Sequence, residues 1–293
     1  MTVLVTGAGG FIGSAIAREL AKRGHVVIAL MRNRPDSPNF SQIVLQDLQD
    51  AEATVRLLDD IRCDVIVHAA ARMAGVSRDA READYKVNDN ITQNLLSGVS
   101  KHPPCFFLCV SSIDVYASTG GVIDETARIA PDNDYAISKF ATEKLCQVWT
   151  DSRNVGLGIA RLTQIFGPGD RTGKLIPMAL SAIKTGRPVK LFGDGEDRRD
   201  YLFIRDAARM IADWTERRIV AKLNLATGES RSVNEVLELL RTINPMGVRV
   251  EQHPRQKPRR DYLFNIAQLI RTLGPFRFTP FSKALRTAYD SMT

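Results

Sequence analysis

Short apolar runs alternate along the first half of the chain with longer segments in which apolar residues recur every three or four positions. The short runs predict buried β-strands, and the longer segments predict helices with one apolar face. The predicted strands cover residues 3–6, 26–30, 43–45, 65–68, 106–110 and 157–162, and the predicted helices cover 11–23, 51–60, 81–100 and 135–152. Continuous apolar strands separated by helices are typical of a parallel sheet that is covered on both faces. We therefore predict an α/β fold with a doubly wound parallel sheet.

The second half of the chain is less regular. Loops that contain Gly and Pro, basic clusters and shorter elements follow the last of these strands. We predict that residues 1–165, to which 200–226 return, form the larger domain, and that 166–199 and 227–293 form a smaller mixed α/β lobe. The basic, Pro-containing stretch 254–260 is the segment most similar to a linker.

The composition is that of an ordinary globular protein. Of the 293 residues 44% are hydrophobic and 25% are charged, which is enough apolar material for a sizeable core. No apolar run approaches the ~18 residues of a membrane span, and the first residues lack the basic stretch and cleavage site of a secretion signal. We expect a cytoplasmic protein with no membrane partner. The cysteines show no metal-binding spacing, so we expect reduced thiols and no metal site; they are Cys63, Cys105, Cys109 and Cys146.

The formal charge of +7 favours an anionic partner. A nucleic acid and a small molecule with a diphosphate would both satisfy this preference, so the net charge does not choose between them. The basic residues are interspersed with acidic ones and lack the interleaved aromatic residues of a nucleic-acid surface. We expect no nucleic-acid partner.

Three glycines lie at the junction of the first predicted strand and the first predicted helix. In the stretch VLVTGAGGFIGSAIAREL, Gly7, Gly10 and Gly13 follow the spacing G-x-x-G-x-x-G. Such a loop lets a dinucleotide pyrophosphate approach the backbone, and the helix N-terminus, here Phe11 and Ile12, offers unpaired N–H groups and a partial positive charge. A simple tight turn is the alternative, but the strand–turn–helix context favours a dinucleotide.

The end of the second predicted strand bears on which dinucleotide is bound. An acidic residue about 20 positions after the glycines would bind the ribose hydroxyls of NAD, whereas an arginine would meet the 2′-phosphate of NADP. The segment reads ALMRNRP, with Arg32 and Arg34 and no carboxylate. Because guanidinium groups pair well with phosphate, we predict NADP in preference to NAD; solvated loop charges are the alternative. After the third strand, Asp47 and Leu48 are candidates for contacts with adenine, and Asp47 is equally suited to capping the next helix.

In its motifs and their order, the chain resembles the extended short-chain dehydrogenase/reductase superfamily, in particular its nucleotide-sugar epimerases, dehydratases and reductases. The resemblance covers nearly the whole length and rests on TGAGGFIG, HAAA, VSSIDVY, YAISK, FGPG and GDGEDRRDYLFIRDAA. It implies a Rossmann-type sheet, NADP or NAD as cofactor, and a nucleotide-diphosphate sugar as substrate. It also implies that the smaller lobe binds this substrate and, because relatives often dimerise through two helices that match 81–100 and 135–152, that the protein is a homodimer.

The stretch YAISK places Tyr135 and Lys139 four residues apart, so on a helix their side chains share a face. An ammonium beside a phenol stabilises the phenolate and is expected to bring the phenol's pKa towards the working range. Ser112 follows the strand at 106–110, at the end where parallel sheets carry their sites, and its hydroxyl can polarise a carbonyl. The resemblance favours Ser112 over the adjacent Ser111. We predict Ser112, Tyr135 and Lys139 as the catalytic residues.

The resemblance implies further binding residues. For the cofactor these are Ala69, Ala70, Ala71 and Asn88, together with Tyr135 and Lys139. For the substrate they are Gln164, Arg199 and Arg260, together with Ser112 and Tyr135. The two arginines are expected to face the diphosphate, and Arg259 is an alternative to Arg260. Gln164 stands where the family usually has an asparagine, and Asn88 is equally well interpreted as an exposed helix residue.

Reduction, epimerisation and dehydration are the reactions typical of this family. Its dehydratases have an Asp-Glu pair directly after the active-site hydroxyl residue, but here Ser112 is followed by Ile113 and Asp114, which argues against dehydration. Net reduction usually uses NADPH, whereas the family's epimerases tend to retain NAD, so Arg32 favours reduction of a 4-keto sugar over 4-epimerisation. A non-catalytic dinucleotide sensor, which would not need the Ser-Tyr-Lys set, and an RNA-binding relative are the weaker alternatives.

Overall fold

The computed structural model describes residues 1–33, 40–72, 78–117, 120–244, 247–256 and 258–292, and for 78–85 it describes the backbone alone. Contacts within the chain divide it into two units. The first unit consists of Met1–Ala117, Ala127–Leu162 and Ala208–Asn224. The second consists of Ser118–Thr126, Thr163–Ala207 and Leu225–Thr293.

Strands and helices alternate along most of the chain. The strands are β1 (Thr2–Thr6), β2 (Val26–Met31), β3 (Gln42–Leu45), β4 (Val65–His68), β5 (Phe106–Ser112), β6 (Val122–Ile123), β7 (Gly156–Leu162), β8 (Gln164–Phe166), β9 (Val189–Phe192), β10 (Arg198–Phe203), β11 (Ala221–Leu225), β12 (Ser230–Ser232), β13 (Val250–His253) and β14 (Leu263–Phe264). The helices are α1 (Phe11–Lys22), α2 (Ala51–Leu58), α3 (Arg78–Gly98), α4 (Asp134–Asp151), α5 (Leu175–Lys184), α6 (Ile204–Arg217), α7 (Val233–Ile243), α8 (Ala267–Leu273) and α9 (Phe281–Asp290).

The first unit is built on a sheet that has seven strands within the described residues, in the order β11-β7-β5-β4-β1-β2-β3. β1 pairs in parallel with β2 and β4, and β5 pairs in parallel with β4 and β7. The chain therefore extends the sheet on both sides of β1, and the predicted doubly wound α/β fold is confirmed. Because β1, β4 and β5 are parallel neighbours, their C-terminal ends, at Thr6, His68 and Ser112, lie at one edge of the sheet.

Apolar side chains from strands and helices form the core of this unit. Phe107 of β5 packs in one cluster with Leu58 of α2, Leu95 of α3 and Trp149 of α4. Removing such side chains from water is the main favourable contribution to folding. β5 is buried along its entire length, including its two terminal serines, so polar groups at its C-terminal end need partners within the protein.

Near the catalytic candidates, one strand and one helix have ends that differ from the sequence prediction. The strand predicted at 106–110 continues to Ser112, since Ser111 and Ser112 pair with Arg161 and Leu162 of β7. The helix predicted at 135–152 begins one residue earlier, because the Asn133 side chain accepts a hydrogen bond from the Ala136 N–H and caps the helix. The cap places Tyr135 in the first turn of α4.

The second unit is a mixed α/β assembly. Its largest sheet has the order β12-β10-β8 in the described part of the chain, with β10 antiparallel to β12 and parallel to β8. Two pairs, β13 with β9 and β14 with β6, accompany it. Ser232 and Glu235 form a reciprocal capping box at the start of α7.

Candidate active site

The glycine loop after β1 brings backbone into close contact with backbone. Gly7 has a positive φ of 68°, and a Cβ at this position would lie 2.7 Å from the Cα of Ala70. A Cβ at Gly13 would lie 2.2 Å from the Gly7 carbonyl oxygen. α1 starts directly after Gly10, and no side chain caps its first turn. The loop therefore has the bare backbone and uncapped helix N-terminus that a dinucleotide pyrophosphate requires, so the residues present fit this cofactor.

A chain of hydrogen bonds holds the segment after β4 against this loop. The Ala70 N–H donates to Thr6 Oγ1 over 3.2 Å, and Thr6 Oγ1 lies 2.8 Å from Nδ1 of the buried His68. On the other side of the ring, Nε2 lies 3.2 Å from Thr92 Oγ1, which itself donates to the Asn88 carbonyl over 2.9 Å. We assign the neutral tautomer with the proton on Nε2, because Thr6 then donates to Nδ1 and Thr92 accepts from Nε2. Burial, and secondarily the positive charge of Lys139, lowers the pKa of His68 to about 3.

Asn88 is a buried bridge rather than an exposed helix residue, so that alternative interpretation is wrong. Its Oδ1 accepts from the Arg72 N–H over 2.7 Å, and its Nδ2 donates to the Arg72 carbonyl over 3.1 Å and to Ser138 Oγ over 3.0 Å. The side chain is 3% exposed. It therefore joins the segment after β4, which contains Ala69, Ala70 and Ala71, to the helix that carries Tyr135.

The end of β2 lies next to the glycine loop. A Cβ at Gly9 would be 3.3 Å from the Met31 Cβ and 3.8 Å from the Asn33 carbonyl oxygen. Arg32, between these two residues, is exposed, as a residue that meets a phosphate from solvent should be. Arg34 lies outside the described residues.

Of the two residues after β3 that were predicted to contact adenine, one is exposed and the other is buried. Asp47 is exposed, and its carboxylate accepts from the Gln49 N–H over 3.0 Å. The cap of α2 is Asp50, which accepts from the Ala53 N–H over 3.0 Å, so the alternative role of Asp47 as a helix cap is wrong. Leu48 is buried in the apolar core of the unit.

Ser112, Tyr135 and Lys139 lie in the first unit. Ser112 is the last residue of β5, at the edge where the glycine loop also emerges, and Tyr135 and Lys139 occupy successive turns of α4. Tyr135 is half-buried as a whole residue and its phenol hydrogen-bonds with Ser112, whereas Lys139 is 4% exposed. Ser111 is directed elsewhere, to Glu143. The structure thus places Ser112, not Ser111, next to the phenol.

The pKa of Tyr135 is raised, whereas the sequence analysis expected it to be lowered. Burial raises this pKa above its ordinary value, and the nearby Asp114 carboxylate raises it further, while the hydrogen bond with Ser112 lowers it. Burial also lowers the pKa of Lys139. Desolvation of the phenol and the Asp114 carboxylate together outweigh the hydrogen bond with Ser112. Tyr135 consequently holds its proton at neutral pH.

A buried ion pair, which the sequence analysis missed, lies behind these residues. Glu143 follows Lys139 by one helical turn, and its carboxylate accepts from Arg161 Nε over 2.9 Å and from Nη2 over 2.7 Å. Burial alone would lower the pKa of Arg161, but its hydrogen bonds and proximity to Glu143 raise it overall. Glu143 lies on a helix and Arg161 on a strand, and no motif or spacing in the sequence indicated that they form an ion pair.

Three of the predicted substrate residues, Gln164, Arg199 and Arg260, lie in the second unit. Gln164 begins β8 and is half-buried. Arg199 of β10 donates to the carbonyls of Arg198 and Arg260, and its guanidinium carbon lies 4.8 Å from the centroid of the Tyr262 ring. Arg199 and Arg260 are therefore close together.

The stretch 254–260, compared above to a linker, contains an anchored residue. Arg255 Nη1 donates to Asp197 over 2.8 Å and its Nη2 donates to Asp194 over 2.5 Å. The Arg255 guanidinium also lies where a Cβ at Gly193 would be, 2.9 Å from its Cζ. These contacts tie the stretch to the loop before β10.

No three His, Cys, Asp or Glu side chains in the described ranges come together in a way that could hold a metal ion. Likewise, no helix formed by those residues is long and apolar enough to cross a membrane.

Comparison with known proteins agrees with this arrangement. The model of the NAD dependent epimerase/dehydratase family matches residues 3–221. A dTDP-glucose 4,6-dehydratase of Neisseria meningitidis serogroup B is 28% identical over 97% of this chain and 91% of its own length. A dTDP-4-dehydro-6-deoxy-D-allose reductase of Streptomyces sp is 29% identical over 86% of this chain and 84% of its own length.

A solved structure gives the same result for the fold. The UDP-glucose 4-epimerase of Thermus thermophilus, in complex with NAD, superposes with a TM-score of 0.89 and 26% identity, covering 99% of this chain and 98% of the epimerase. These relatives include a dehydratase, a reductase and an epimerase, so they identify the family without separating its reactions. The resemblance inferred from the motifs is confirmed: the chain is an enzyme that belongs to the NAD dependent epimerase/dehydratase family.

Proposed function

We propose that the protein reduces the keto group of a nucleotide-activated 4-keto sugar, with NADPH as the reductant. The observation that carries this proposal is the contact of a protonated, half-buried Tyr135 with Ser112 at the sheet edge where the glycine loop emerges. A phenol that keeps its proton at neutral pH can give it to a carbonyl oxygen that is gaining negative charge.

Each residue of the set has one task in this reaction. Ser112 donates a hydrogen bond to the sugar's carbonyl oxygen and orients it. NADPH, when bound on the glycine loop, supplies the hydride for the carbonyl carbon. Tyr135 transfers its proton to the carbonyl oxygen, so that an alcohol is formed. Lys139, a buried cation one turn away, stabilises the phenolate that remains.

Dehydration fits the residues around Ser112 less well. Expelling water from a sugar needs an acid and a base beside the hydroxyl residue. Ile113, directly after Ser112, is apolar and 3% exposed, so only Asp114 of the two positions carries a carboxylate. We infer that the protein is not a 4,6-dehydratase, although a relative carries that name.

A 4-epimerase with retained NAD is the second candidate. It would use the same Ser112, Tyr135 and Lys139, with the hydride returned to the opposite face of the sugar. The NAD complex of the Thermus epimerase supports it. The exposed Arg32 at the end of β2, where NAD enzymes usually have a carboxylate, favours NADP and therefore reduction.

The second unit is proposed to bind the nucleotide part of the substrate. Gln164 would contact the sugar, and Arg199 with Arg260 would bind the diphosphate through guanidinium hydrogen bonds. The names of these relatives, which include dTDP- and UDP-linked sugars, support this assignment. We further propose that the protein acts as a cytoplasmic homodimer, which sedimentation of the purified protein would test.

A comparison of two reactions separates the candidates. Purified protein is incubated with NADPH and a dTDP-4-keto-6-deoxy sugar, and separately with NAD and UDP-glucose. Reduction predicts loss of nicotinamide absorbance in the first mixture and no epimer in the second. Formation of UDP-galactose without net loss of cofactor would select the epimerase instead. If neither mixture reacted and neither dinucleotide bound, the enzymatic proposal itself would be overturned.

A further inference from the structure

A single buried contact ties the strand that ends at Ser112 to the helix that carries Tyr135. Ser111 Oγ, 3% exposed, donates to Glu143 Oε1 over 2.6 Å. Ser111 is the residue directly before Ser112 on β5, and Glu143 lies two helical turns after Tyr135 on α4. This contact therefore connects the two elements whose spacing sets the approach of Ser112 to the phenol.

Arg161 holds the Glu143 carboxylate in one orientation. Its guanidinium donates to both carboxylate oxygens, which fixes the plane of the carboxylate as well as its distance. Arg161 lies on β7, directly opposite Ser111 in the strand register. The carboxylate thus receives hydrogen bonds from two neighbouring strands of one sheet, and the helix position is defined relative to both.

The arginine is itself held in place. Its guanidinium carbon lies 4.7 Å from the centroid of the Tyr116 ring, and the Tyr116 hydroxyl donates to Asn224 Oδ1 over 2.8 Å. Arg161 is 1% exposed and Glu143 is 2% exposed. The ion pair is consequently shielded from solvent.

Stability alone does not explain this arrangement. Taking a carboxylate and a guanidinium out of water costs about as much as their attraction returns, and apolar residues of the same volume usually stabilise a core at least as well. A directional pair, unlike an apolar contact, specifies a distance and an angle between helix and strand. Reactions of this kind depend on such placement, since a misplacement of about 1 Å can cost roughly a hundredfold in rate.

We propose that Ser111 and Glu143 are positioning residues, which set the distance between Ser112 and Tyr135 through the tie between β5 and α4. The inference rests on the proposed function, because it concerns the efficiency of that reaction. Neither residue touches the reacting atoms. Their effect should therefore fall on turnover and not on cofactor binding.

Ser111→Ala tests the proposal, and Ser100→Ala is its matched control. Ser111→Ala removes one hydroxyl and leaves the Glu143–Arg161 pair intact, so the fold should survive. Ser100→Ala also removes a hydroxyl that joins α4 to another part of the unit, since Trp149 Nε1 donates to Ser100 Oγ over 3.0 Å. Trp149 is 14 residues after Tyr135, or about 21 Å along the helix.

The measurements are kcat and KM for the probe sugar that the wild-type protein turns over, the dissociation constant of NADPH, and the midpoint of thermal unfolding. For Ser111→Ala we expect kcat to fall at least about tenfold while the dissociation constant of NADPH stays within about twofold. For Ser100→Ala we expect kcat within about twofold of wild type at a comparable thermal midpoint.

Two different failures can be told apart. If the wild-type protein is active and Ser111→Ala loses no more kcat than Ser100→Ala, the positioning role is wrong and the proposed function stands. If Ser111→Ala weakens NADPH binding as much as it lowers kcat, a general distortion of the unit replaces the positioning role. If the wild-type protein turns over neither probe, the proposed function fails and the inference falls with it.

Discussion

The carbonyl oxygen of Gly7 lies so close to Gly13 that a Cβ on Gly13 would come within 2.2 Å of it. Both groups belong to the backbone, so no side-chain rotation can relieve the contact. The first turn of α1, which would carry the pyrophosphate, is seated against the end of β1 by this approach. The close approach of the two glycines thus determines where the first turn of α1 lies, and that turn is the part of the unit expected to bind the cofactor's pyrophosphate.

Gly13→Ala should therefore weaken dinucleotide binding. The added methyl group pushes α1 away from Gly7, and we expect the dissociation constant of NADPH to rise at least about tenfold, with a thermal midpoint several degrees lower. Gly173→Ala is the control, since a Cβ there meets nothing within 4 Å. Titration by nicotinamide fluorescence measures the affinity of both variants, and equal affinities would contradict the role given to the loop.

Tyr135→Phe should remove turnover while the fold and cofactor affinity remain. The variant lacks only the transferable proton, and loss of such an acid costs roughly 10²- to 10⁴-fold in kcat. The matched change Tyr289→Phe, on α9 of the second unit, should leave kcat unchanged. Steady-state kinetics with the probe sugar decides the matter. Near-normal turnover by the Phe variant would show that another group donates the proton.

The parts of the site that depend on spacing were predictable from sequence. Gly7 begins the turn after β1 and Gly13 lies in the first turn of α1, and Tyr135 and Lys139 are one turn apart on a helix, so local geometry alone brings each pair together. The doubly wound sheet follows from the same local patterns. Alternation of strands and helices leaves few other arrangements.

Long-range burial was not predictable in the same way. Asn88 was interpreted equally as an exposed residue because the periodicity of α3 does not show what packs on it, and its bonds to Arg72 and Ser138 span 16 and 50 residues. The pKa of Tyr135 depends on how much protein surrounds the phenol, which is a property of the packed unit. The direction of the pKa shift therefore required the three-dimensional structure.

Arg32→Ala should change the choice between the two dinucleotides. Arg32 is exposed at the end of β2, next to the glycine loop, where a guanidinium can pair with the 2′-phosphate of NADP. Removing it should weaken NADPH binding by roughly ten- to a hundredfold, as expected for a lost charge-assisted hydrogen bond, and leave NADH binding within about twofold. Arg18→Ala, a change on a side of α1 that is exposed, serves as the control. Tighter binding of NAD than of NADP by the wild-type protein, unaffected by Arg32→Ala, would exclude the NADP preference and favour the epimerase.

His68 should make the first unit sensitive to acid. Its pKa is about 3 in the folded protein, against 6.5 for an unperturbed histidine, because the ring is buried and Lys139 is nearby. The unfolded chain therefore binds a proton between these two values that the folded chain does not, and the free energy of unfolding falls as the pH falls through this window. The neutral ring contributes its full stabilisation above about pH 6.5 and loses it progressively down to about pH 3, by at most about 5 kcal/mol.

Replacing this ring tests the assignment directly. His68→Gln cannot take up a proton, so it should lower the free energy of unfolding near neutral pH but flatten its decrease between about pH 6.5 and 4. His102→Gln, which replaces a histidine outside the hydrogen-bond chain from Thr6 to Thr92, is the control. Urea unfolding at a series of pH values gives both curves. Equal slopes for His68→Gln and the wild-type protein would mean that His68 takes up its proton at the same pH in the folded and the unfolded chain, and the lowered pKa assigned to the buried ring would then be wrong.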